Sequence, residues 1–207
     1  FNDKALFNSI FRTKGKNNFT PIYKYINDYK MFNDNQVELV RLDELETWEM
    51  NDEGIKCKYS YSFSVIYCDI EVEGREVTKW TQPLFKAEGL ATFGLLTTVE
   101  HNIRKFLVKC RHEVGCFDQM ELGPSVQREA VDEEKVIDCV TEVFDKHLAE
   151  NKGVLYNVIL SEEGGRFYHE QNHNMIVEID QAEILELPEG YFWVDYRTLN
   201  QLVQVNN

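Results

Sequence analysis

The feature that most constrains the fold is a change in the spacing of apolar residues along the chain. Between residues 54 and 109, apolar and polar residues largely alternate, which is typical of β-strands with one buried face. Polar turns at residues 73–75 and 100–102 are too short for crossovers, so neighbouring strands are expected to run antiparallel. Between residues 132 and 150 the apolar spacing becomes helical. This order predicts an α+β fold, with helices packed on a mixed or antiparallel sheet.

Further elements are predicted on both sides of this region. Thr20 and Pro21 indicate a helix start, because threonine caps a helix and proline fits its first turn. A second helix is expected to begin at Asp132 and to end before Gly153, and a short third one covers residues 198–203. The remaining predictions are a helical turn at 43–48 and strands at 37–40, 60–65, 69–77, 89–98, 104–109, 154–160, 166–169 and 175–179.

The composition indicates a folded protein with a single main domain. The chain has 207 residues, of which 43% are apolar and 13% aromatic, so it can bury a large core. No repeat or linker divides it, and we therefore expect an N-terminal helical segment at residues 1–32 and a single module at 33–207. A net charge of −14 repels phosphate backbones, which argues against a nucleic-acid partner.

The five cysteines, at positions 57, 68, 110, 116 and 139, show no CxxC spacing and are expected to be free thiols of a cytoplasmic protein. The fragment Cys110-x-His112 lacks the second ligand pair of a structural zinc site, so no metal is expected. We also expect no membrane span, because there is no apolar run of about 18 residues. The first residues lack the apolar core of a signal peptide.

The polar stretch that follows the strand at residues 104–109 is the first candidate site. Lys109 and Arg111 alternate with Cys110, so their side chains are expected to share one face of a strand. Glu113 follows at the strand end, where a carboxylate beside a pocket can act as a general base. The alternative is ordinary solvent-facing charge on an edge strand.

Three other clusters have both a functional and a structural interpretation. In residues 80–83 (WTQP), the Trp80 ring either stacks on a ligand or belongs to the core at a strand end. Arg166 follows two glycines and is either a bidentate ligand of a pyrophosphate or a surface residue of a hairpin. Asn172 and Asn174 precede an apolar strand, where their amides either fix a turn or bind sugar hydroxyls.

Residues 115–133 resemble the Nudix hydrolase box, which holds magnesium against a pyrophosphate through carboxylates on one helix face. One residue is missing between Glu121 and Arg128, and this deletion turns Glu121 away by about 100° on a helix. Lys135 replaces the closing glycine. An active Nudix metal site is therefore not expected.

Taken together, the clusters resemble the NDP-hexose 2,3-dehydratases of deoxysugar biosynthesis. That family shows the patterns WxQP, EPG, QLSPTVQ, SExGxxF and NRNMxVE in this order. The corresponding segments here are residues 80–83 (WTQP), 113–115 (EVG), 121–127 (ELGPSVQ), 161–167 (SEEGGRF) and 172–178 (NHNMIVE). Order and spacing hold from about residue 39 to the end, and several short motifs in register are far more specific than any one of them.

The resemblance implies a Nudix-like α+β fold and a cytoplasmic lyase that acts on a nucleotide-linked 4-keto-6-deoxyhexose without a metal or redox cofactor. A base would remove the C3 proton, which the C4 ketone acidifies, and an acid would assist departure of the C2 hydroxyl. Glu113 is the implied base. The implied substrate-binding residues are Trp80 and Gln82 at the pocket edge, Arg166 on the pyrophosphate, Gln127, Asn172 and Asn174 on the sugar, and Lys109, Arg111, Ser125 and Tyr168.

The sequence also departs from the family pattern. Val114 replaces the proline of the EPG motif, Cys116 replaces an asparagine, and Glu121 replaces the first glutamine of the next motif. Family members usually carry two such modules in one chain, and one is present here, so a homodimer is expected to restore the pair by symmetry. These departures leave two alternatives open: a non-catalytic nucleotide-sugar-binding module and, with less support, a metal-dependent Nudix hydrolase.

Overall fold

The computed structural model describes residues 2–13, 19–32, 37–115, 119–131 and 137–204, and these form a mixed α+β structure. This confirms the predicted α+β class, while the Nudix-like label stays a prediction. The helices are α1 (Lys4–Phe11), α2 (Phe19–Phe32), α3 (Cys139–Ala149) and α4 (Tyr196–Gln204). The strands are β1 (Trp48–Asn51), β2 (Gly54–Cys57), β3 (Phe63–Glu71), β4 (Lys79–Ala87), β5 (Ala91–Glu100), β6 (Ile103–His112), β7 (Met120–Pro124), β8 (Val126–Arg128), β9 (Val154–Ser161), β10 (Gln171–Glu178) and β11 (Tyr191–Asp195).

The strands form two sheets. β1 to β4 form an antiparallel four-stranded sheet in sequence order. The larger, seven-stranded sheet has the order β11-β6-β5-β10-β9, with β7 beside β6 and β8 beside β5. β10 runs parallel to β5, and the other pairs in this sheet are antiparallel. The sheet is therefore mixed.

Helices cover both faces of the larger sheet. Phe144 of α3 is completely buried against one face, in a cluster with Leu107. Ile22 of α2 is completely buried against the other face, in a cluster with Phe106 and Val108. Successive side chains of a strand point to opposite faces, so the alternating apolar residues of β6 serve both layers.

The first helix docks on the same sheet near the β5–β6 turn. The Asp3 carboxylate lies 2.7 Å from the Arg104 guanidinium, and the Ser9 hydroxyl donates a 2.6 Å hydrogen bond to the Arg104 carbonyl oxygen. The backbone N–H of Tyr196, at the start of α4, donates to the Ser9 hydroxyl at 2.8 Å. These contacts hold the two ends of the described chain together on β6.

β5 and β6 separate after a short hairpin, and β7 and β8 lie between them. The hairpin pairs Thr97 with Phe106 and closes at the turn after Glu100. Farther along, β6 pairs with β7 and β5 pairs with β8. Ser125 lies at the point of separation. Its hydroxyl accepts a 2.8 Å hydrogen bond from the N–H of Leu96 and donates a 2.5 Å one to the carbonyl oxygen of Leu107.

The loop between β9 and β10 connects the two sheets. The N–H of Phe85 on β4 donates to the Arg166 carbonyl oxygen at 2.8 Å, and the N–H of Tyr168 donates to the Phe85 carbonyl oxygen at 2.7 Å. The side chain of Gln82 adds a 2.8 Å hydrogen bond to the carbonyl oxygen of Gly165. This loop therefore continues the edge of the smaller sheet.

Several predicted elements are confirmed: α2, α4, β9, and the turn at residues 100–102. α3 is confirmed from Asp138, its N-cap, onward. Its predicted start at Asp132 lies outside the described residues. None of the described helices is long and apolar enough to cross a membrane.

Other predictions of secondary structure were wrong. Residues 37–40 form no strand: their apolar side chains are exposed, so little burial stabilises an extended segment there. A helical turn was predicted at residues 43–48. The structure has a 3-10 turn at Leu42–Glu44, and Trp48 begins β1. The strand predicted at residues 166–169 is absent, and Phe167 forms an isolated parallel β-bridge with Phe85 instead. β3 runs through the break predicted between 65 and 69. The strands that were not predicted are β1, β2, β4, β7, β8 and β11.

Candidate functional site

A cavity of about 630 Å³ lies where β6 extends beyond its pairing with β5. Its walls come from α2, β6, β7, β8, α3 and the start of β11. The lining side chains are Tyr25, Tyr29, Lys109, Cys110, Arg111, His112, Met120, Pro124, Ser125, Val126, Gln127, Arg128, Ile137, Thr141, Asp145, Glu189 and Tyr191. Three are cations (Lys109, Arg111 and Arg128) and two are carboxylates (Asp145 and Glu189), so the lining has a small excess of positive charge in a chain that is strongly acidic overall.

Lys109 is held by two residues that the sequence did not single out. Its ammonium lies 3.6 Å from Oδ2 of Asp138 and 4.8 Å from the centre of the Tyr191 ring. The Tyr191 hydroxyl donates a 2.6 Å hydrogen bond to the same Asp138 oxygen. The other Asp138 oxygen caps α3 by accepting from the N–H and hydroxyl of Thr141.

The two acidic groups of this network have displaced pKa values. Burial alone would raise the pKa of Asp138. The hydrogen bonds from Tyr191 and Thr141 and the charge of Lys109 outweigh burial, so the pKa is lowered and the carboxylate stays ionised. Burial and the adjacent Asp138 carboxylate raise the pKa of Tyr191, so the phenol stays protonated. Lys109 therefore lies against a fixed negative charge.

The side chains of Arg111 and Gln127 both lie close to Gly123. A Cβ placed on Gly123 would lie 3.3 Å from Cδ of Arg111 and 3.7 Å from Oε1 of Gln127, so the bare backbone leaves room for both side chains. The Arg111 guanidinium also lies 3.3 Å from the Glu113 carboxylate. Glu113 is thus linked to the cavity through Arg111, although it does not line the cavity itself.

The third cation, Arg128, closes the side of the cavity next to α3. Its guanidinium lies 2.8 Å from the Asp145 carboxylate and 5.9 Å from the centre of the Phe144 ring. Pairing with Asp145 orients the guanidinium, and its remaining N–H groups are donors for an anionic ligand.

A second group of predicted residues lies at the junction of the two sheets. The indole N–H of Trp80 donates to Oε1 of Gln82 at 2.8 Å, and Gln82 in turn binds Gly165. The Arg166 side chain is 73% exposed and lies 3.7 Å from the Glu163 carboxylate. The Tyr168 ring is also exposed and contacts His169 edge-on.

Asn172 and Asn174 lie within β10, so of the two interpretations left open by the sequence, the asparagine turn is excluded. The side-chain NH₂ of Asn172 donates a 2.5 Å hydrogen bond to the Glu162 carboxylate. The side-chain oxygen Oδ1 of Asn172 is buried without a partner among the described residues. The Asn174 amide donates to the backbone oxygen of Asn172 at 3.1 Å. Burial and the charges of Glu162 and Glu129 raise the pKa of nearby Glu170.

The structure therefore divides the predicted site residues into two groups. Lys109, Arg111, Ser125 and Gln127 line the cavity, with Glu113 one ion pair away. The others, Trp80, Gln82, Arg166, Tyr168, Asn172 and Asn174, do not line it. The Ser125 hydroxyl already bridges β5 and β6, so its contribution is to hold the wall.

Sequence reasoning missed Asp138, Tyr191 and Arg128. Asp138 is followed three residues later by Thr141, the spacing of a helix cap, but the acidic run at 132–134 gave a stronger start signal. Tyr191 follows the Pro188-Glu-Gly turn in a short aromatic strand. Among the described residues, no group of three or more His, Cys, Asp or Glu could hold a metal ion.

Comparison with known proteins identifies the class to which this fold and site belong. The sequence model of the NDP-hexose 2,3-dehydratases matches residues 20–207, so the chain belongs to that family. The resemblance inferred from the short motifs is confirmed.

The curated relatives share one description, dTDP-4-dehydro-6-deoxy-alpha-D-glucopyranose 2,3-dehydratase. The protein of Streptomyces violaceoruber is 33% identical over 151 residues, covering 70% of this chain and 32% of the relative. That of Saccharopolyspora spinosa is 29% identical over 167 residues, with coverage of 80% and 34%. That of Amycolatopsis orientalis is 27% identical over 179 residues, with coverage of 83% and 36%. The chain thus spans about a third of the length of these relatives.

Proposed function

We propose that this chain binds a dTDP-linked 4-keto-6-deoxyhexose in the cavity and eliminates water across C2 and C3 of the sugar. The observation that supports the proposal is that Lys109, Arg111 and Arg128 line one cavity. The chain that contains this cavity belongs to a family of sugar dehydratases. Three cations in an acidic chain suit a ligand with a negatively charged diphosphate. The cavity volume of about 630 Å³ is in the range of small-molecule sites.

In this proposal Arg128 and Arg111 bind the diphosphate and Lys109 faces the sugar ketone. Removal of the C3 proton places negative charge on O4, and the C2–O bond breaks as the C2=C3 double bond forms. An ammonium beside O4 stabilises this charge as it develops. Asp138 and Tyr191 hold Lys109 in place, so the donor needs little reorganisation during the reaction.

Glu113 is the proposed base that removes the C3 proton. Its carboxylate pairs with the Arg111 guanidinium at 3.3 Å, which orients it beside the cavity that Arg111 lines. Glu113 directly follows β6, and its N–H donates a 3.0 Å hydrogen bond to the carbonyl oxygen of Gln119, which precedes β7. The C2 hydroxyl leaves with a proton from a donor in the cavity, so that one water is released per turnover.

The test is to incubate the 207-residue chain with a dTDP-4-keto-6-deoxyhexose and a ketoreductase, and to detect a 2-deoxysugar by mass spectrometry. Product formation that falls at least about a hundredfold in Glu113→Gln is the expected result. Glu163→Gln, an exposed glutamate outside the cavity, is the matched control. No turnover despite tight binding of the nucleotide sugar would favour the second candidate.

The second candidate is a non-catalytic nucleotide-sugar-binding module. It is favoured by Val114 and Cys116, which depart from the family pattern beside Glu113. A thermal shift with nucleotide sugar but no turnover would support this function, since a ligand at 100 times its dissociation constant adds roughly 2.7 kcal/mol.

Three other predictions stay proposals. The first is the division into a helical segment at 1–32 and a module at 33–207. The second is a cytoplasmic location, which rests on the five cysteines without paired spacing. The third is a homodimer, which sedimentation equilibrium of the 207-residue chain would test.

A further inference from the structure

His147 is a buried histidine in the last turn of α3, outside the cavity. Its side chain is only 1% exposed, and both ring nitrogens face acceptors. Nδ1 lies 3.0 Å from the carbonyl oxygen of Lys152, and Nε2 lies 3.0 and 3.1 Å from the two carboxylate oxygens of Glu183. A carbonyl oxygen only accepts hydrogen bonds, so Nδ1 carries a proton. Whether Nε2 carries one as well depends on the state of Glu183.

The Glu183 carboxylate is held in its ionised form. Burial alone would raise its pKa. Hydrogen bonds from His147 and from the backbone N–H of Asp180, together with nearby positive charge, outweigh burial, so the pKa is lowered. Lys146 places an ammonium 3.6 Å from the same carboxylate. An ionised carboxylate only accepts, so Nε2 also donates, and a ring with two N–H groups is an imidazolium.

The surroundings of the ring are consistent with a positive charge. His147 lies at the C-terminal end of α3, where the helix dipole favours a cation. Lys146 and Lys152 oppose it, but both are exposed, so solvent screens their charges. Among the described residues, Glu183 is the carboxylate that contacts the ring. The charge on the ring therefore depends on this one partner.

The pair connects α3 to the segment that precedes β11. This segment, residues 180–191, contacts α3 at two places. Glu183 binds His147 near the C-terminal end of the helix, and Tyr191 donates to Asp138, the N-cap. Tyr191 also lines the cavity. The pair therefore helps to hold one wall of the cavity against the helix.

We propose that His147 and Glu183 form a proton-dependent clamp, which holds residues 180–191 against α3 while the ring carries two protons and releases them when it loses one. Loss of the Nε2 proton leaves a lone pair facing a carboxylate, so two acceptors then oppose each other. The proposal is independent of the proposed reaction, because each measurement below is made on the free protein.

The direction of the pH dependence follows from the state that binds the proton more tightly. A histidine of an unfolded chain loses its proton at about pH 6.5, whereas the proposed clamp retains it to a higher pH. Its stabilisation is therefore complete below about pH 6.5 and is lost as the pH rises through the titration of the folded ring. In Glu183→Gln the amide donates to an unprotonated Nε2, so the neutral ring is satisfied and stability is lost on acidification instead.

Imidazole ¹⁵N NMR of the wild-type 207-residue chain is the direct test. At about pH 7.5 an exposed histidine is mainly neutral, and exposed His101 provides this reference. His147 should show two ring N–H protons and the ¹⁵N shifts of an imidazolium at the same pH. A neutral His147 would overturn the proposal, and this result requires no variant to fold.

Urea unfolding tests the sign of the pH dependence. The folding equilibrium constant of wild type, divided by that of Glu183→Gln, should fall at least about tenfold between about pH 6 and about pH 9. Lys146→Gln removes the exposed lysine from the same carboxylate and is the matched control, which should follow wild type. A ratio that does not change with pH would refute the clamp.

Hydrogen exchange locates the segment that is released. After correction for the intrinsic effect of pH on exchange, the protection of amides at residues 183–191 should fall several-fold between about pH 7 and about pH 9 in wild type. It should stay constant in Glu183→Gln. Amides of the smaller sheet are the internal reference. Unchanged protection at residues 183–191, or an equal loss throughout the chain, contradicts the release of this segment.

Discussion

The phenol of Tyr191 donates a 2.6 Å hydrogen bond to the carboxylate of Asp138, which joins β11 to the first turn of α3. The bond links two parts of the chain that are 53 residues apart. Since the same carboxylate also contacts Lys109, the bond fixes the position of the cavity's ammonium. Removal of the phenolic hydroxyl should therefore change both the stability of the fold and the state of the cavity.

We expect Tyr191→Phe to lower the free energy of unfolding by about 2 kcal/mol near neutral pH, because a hydrogen bond to a buried charged group is lost. Urea unfolding monitored by circular dichroism would measure the change. Tyr59→Phe, at a tyrosine that is 70% exposed, is the control and should have little effect.

The same pair predicts a dependence on pH. The pKa of Asp138 is lower in the folded state than its ordinary value of 3.8, so its stabilisation is present above that value and is lost as the pH falls through the lower folded pKa. The stability difference between wild type and Asp138→Asn should therefore be large at about pH 6 and shrink below about pH 3.5. A difference that stays constant with pH would contradict the ionised network.

Ser125 provides a prediction about the wall of the cavity. Its hydroxyl satisfies the N–H of Leu96 and the carbonyl oxygen of Leu107 in a fully buried position. Ser125→Ala leaves both groups without this partner, and we expect a loss of about 2 to 4 kcal/mol in urea unfolding. Ser161→Ala, at an exposed serine, is the control.

The amide of Leu96 gives a local readout for the same variant. It should exchange with deuterium much faster in Ser125→Ala, while amides of the smaller sheet keep their rates. If instead stability is unchanged and only the affinity for dTDP falls, Ser125 binds the ligand as the sequence predicted, and the bridge is not its main role.

Gly94 is required by the packing of α3. A Cβ at this position would overlap the ring of Phe144, which is completely buried. We expect Gly94→Ala to cost about 1 to 3 kcal/mol through overpacking, and the second substitution Phe144→Leu to recover part of this loss. Thermal or urea unfolding of the four proteins of the cycle measures the coupling. Gly164→Ala is the control, since nothing lies within 4 Å of its added Cβ. Additive effects would refute the proposed contact.

The sequence predicted the elements that local spacing determines. The start of α2 near Thr20 and Pro21, the helical apolar spacing of α3, and the turn at residues 100–102 all depend on residues within a few positions of each other. The separation of β5 from β6 could not be predicted, because it depends on strand partners far apart in the chain.

The residues of the candidate site could likewise be predicted from the sequence only in part. Lys109 and Arg111 were predicted on one face of a strand, and the structure brings both to the cavity. Asp138 and Tyr191 reach Lys109 only after α3 and β11 pack on β6, so their role depends on tertiary structure. Short motifs grouped Arg166 with Lys109 as parts of one site, whereas the fold separates them into the sheet junction and the cavity.

The last prediction decides whether Arg111 or Arg166 binds the nucleotide. Arg111 lines the cavity and is the proposed ligand of the diphosphate, whereas Arg166 is 73% exposed and paired with Glu163. We expect Arg111→Gln to weaken the binding of dTDP at least about tenfold, which corresponds to about 1.4 kcal/mol, since a positioned charge that contacts the diphosphate is removed. Arg166→Gln should change the affinity less than about twofold, because a solvent-exposed ion pair contributes little.

Isothermal titration calorimetry with dTDP measures both affinities, and circular dichroism verifies that each variant is folded. Arg75→Gln, in the exposed turn between β3 and β4, controls for the general loss of one positive charge. The wild-type affinity should also fall with added salt, and it should fall less steeply in Arg111→Gln, because one cation fewer contacts the ligand. If Arg166→Gln instead abolishes binding while Arg111→Gln does not, the nucleotide binds at the sheet junction, and the sequence-based assignment of Arg166 to the pyrophosphate is correct.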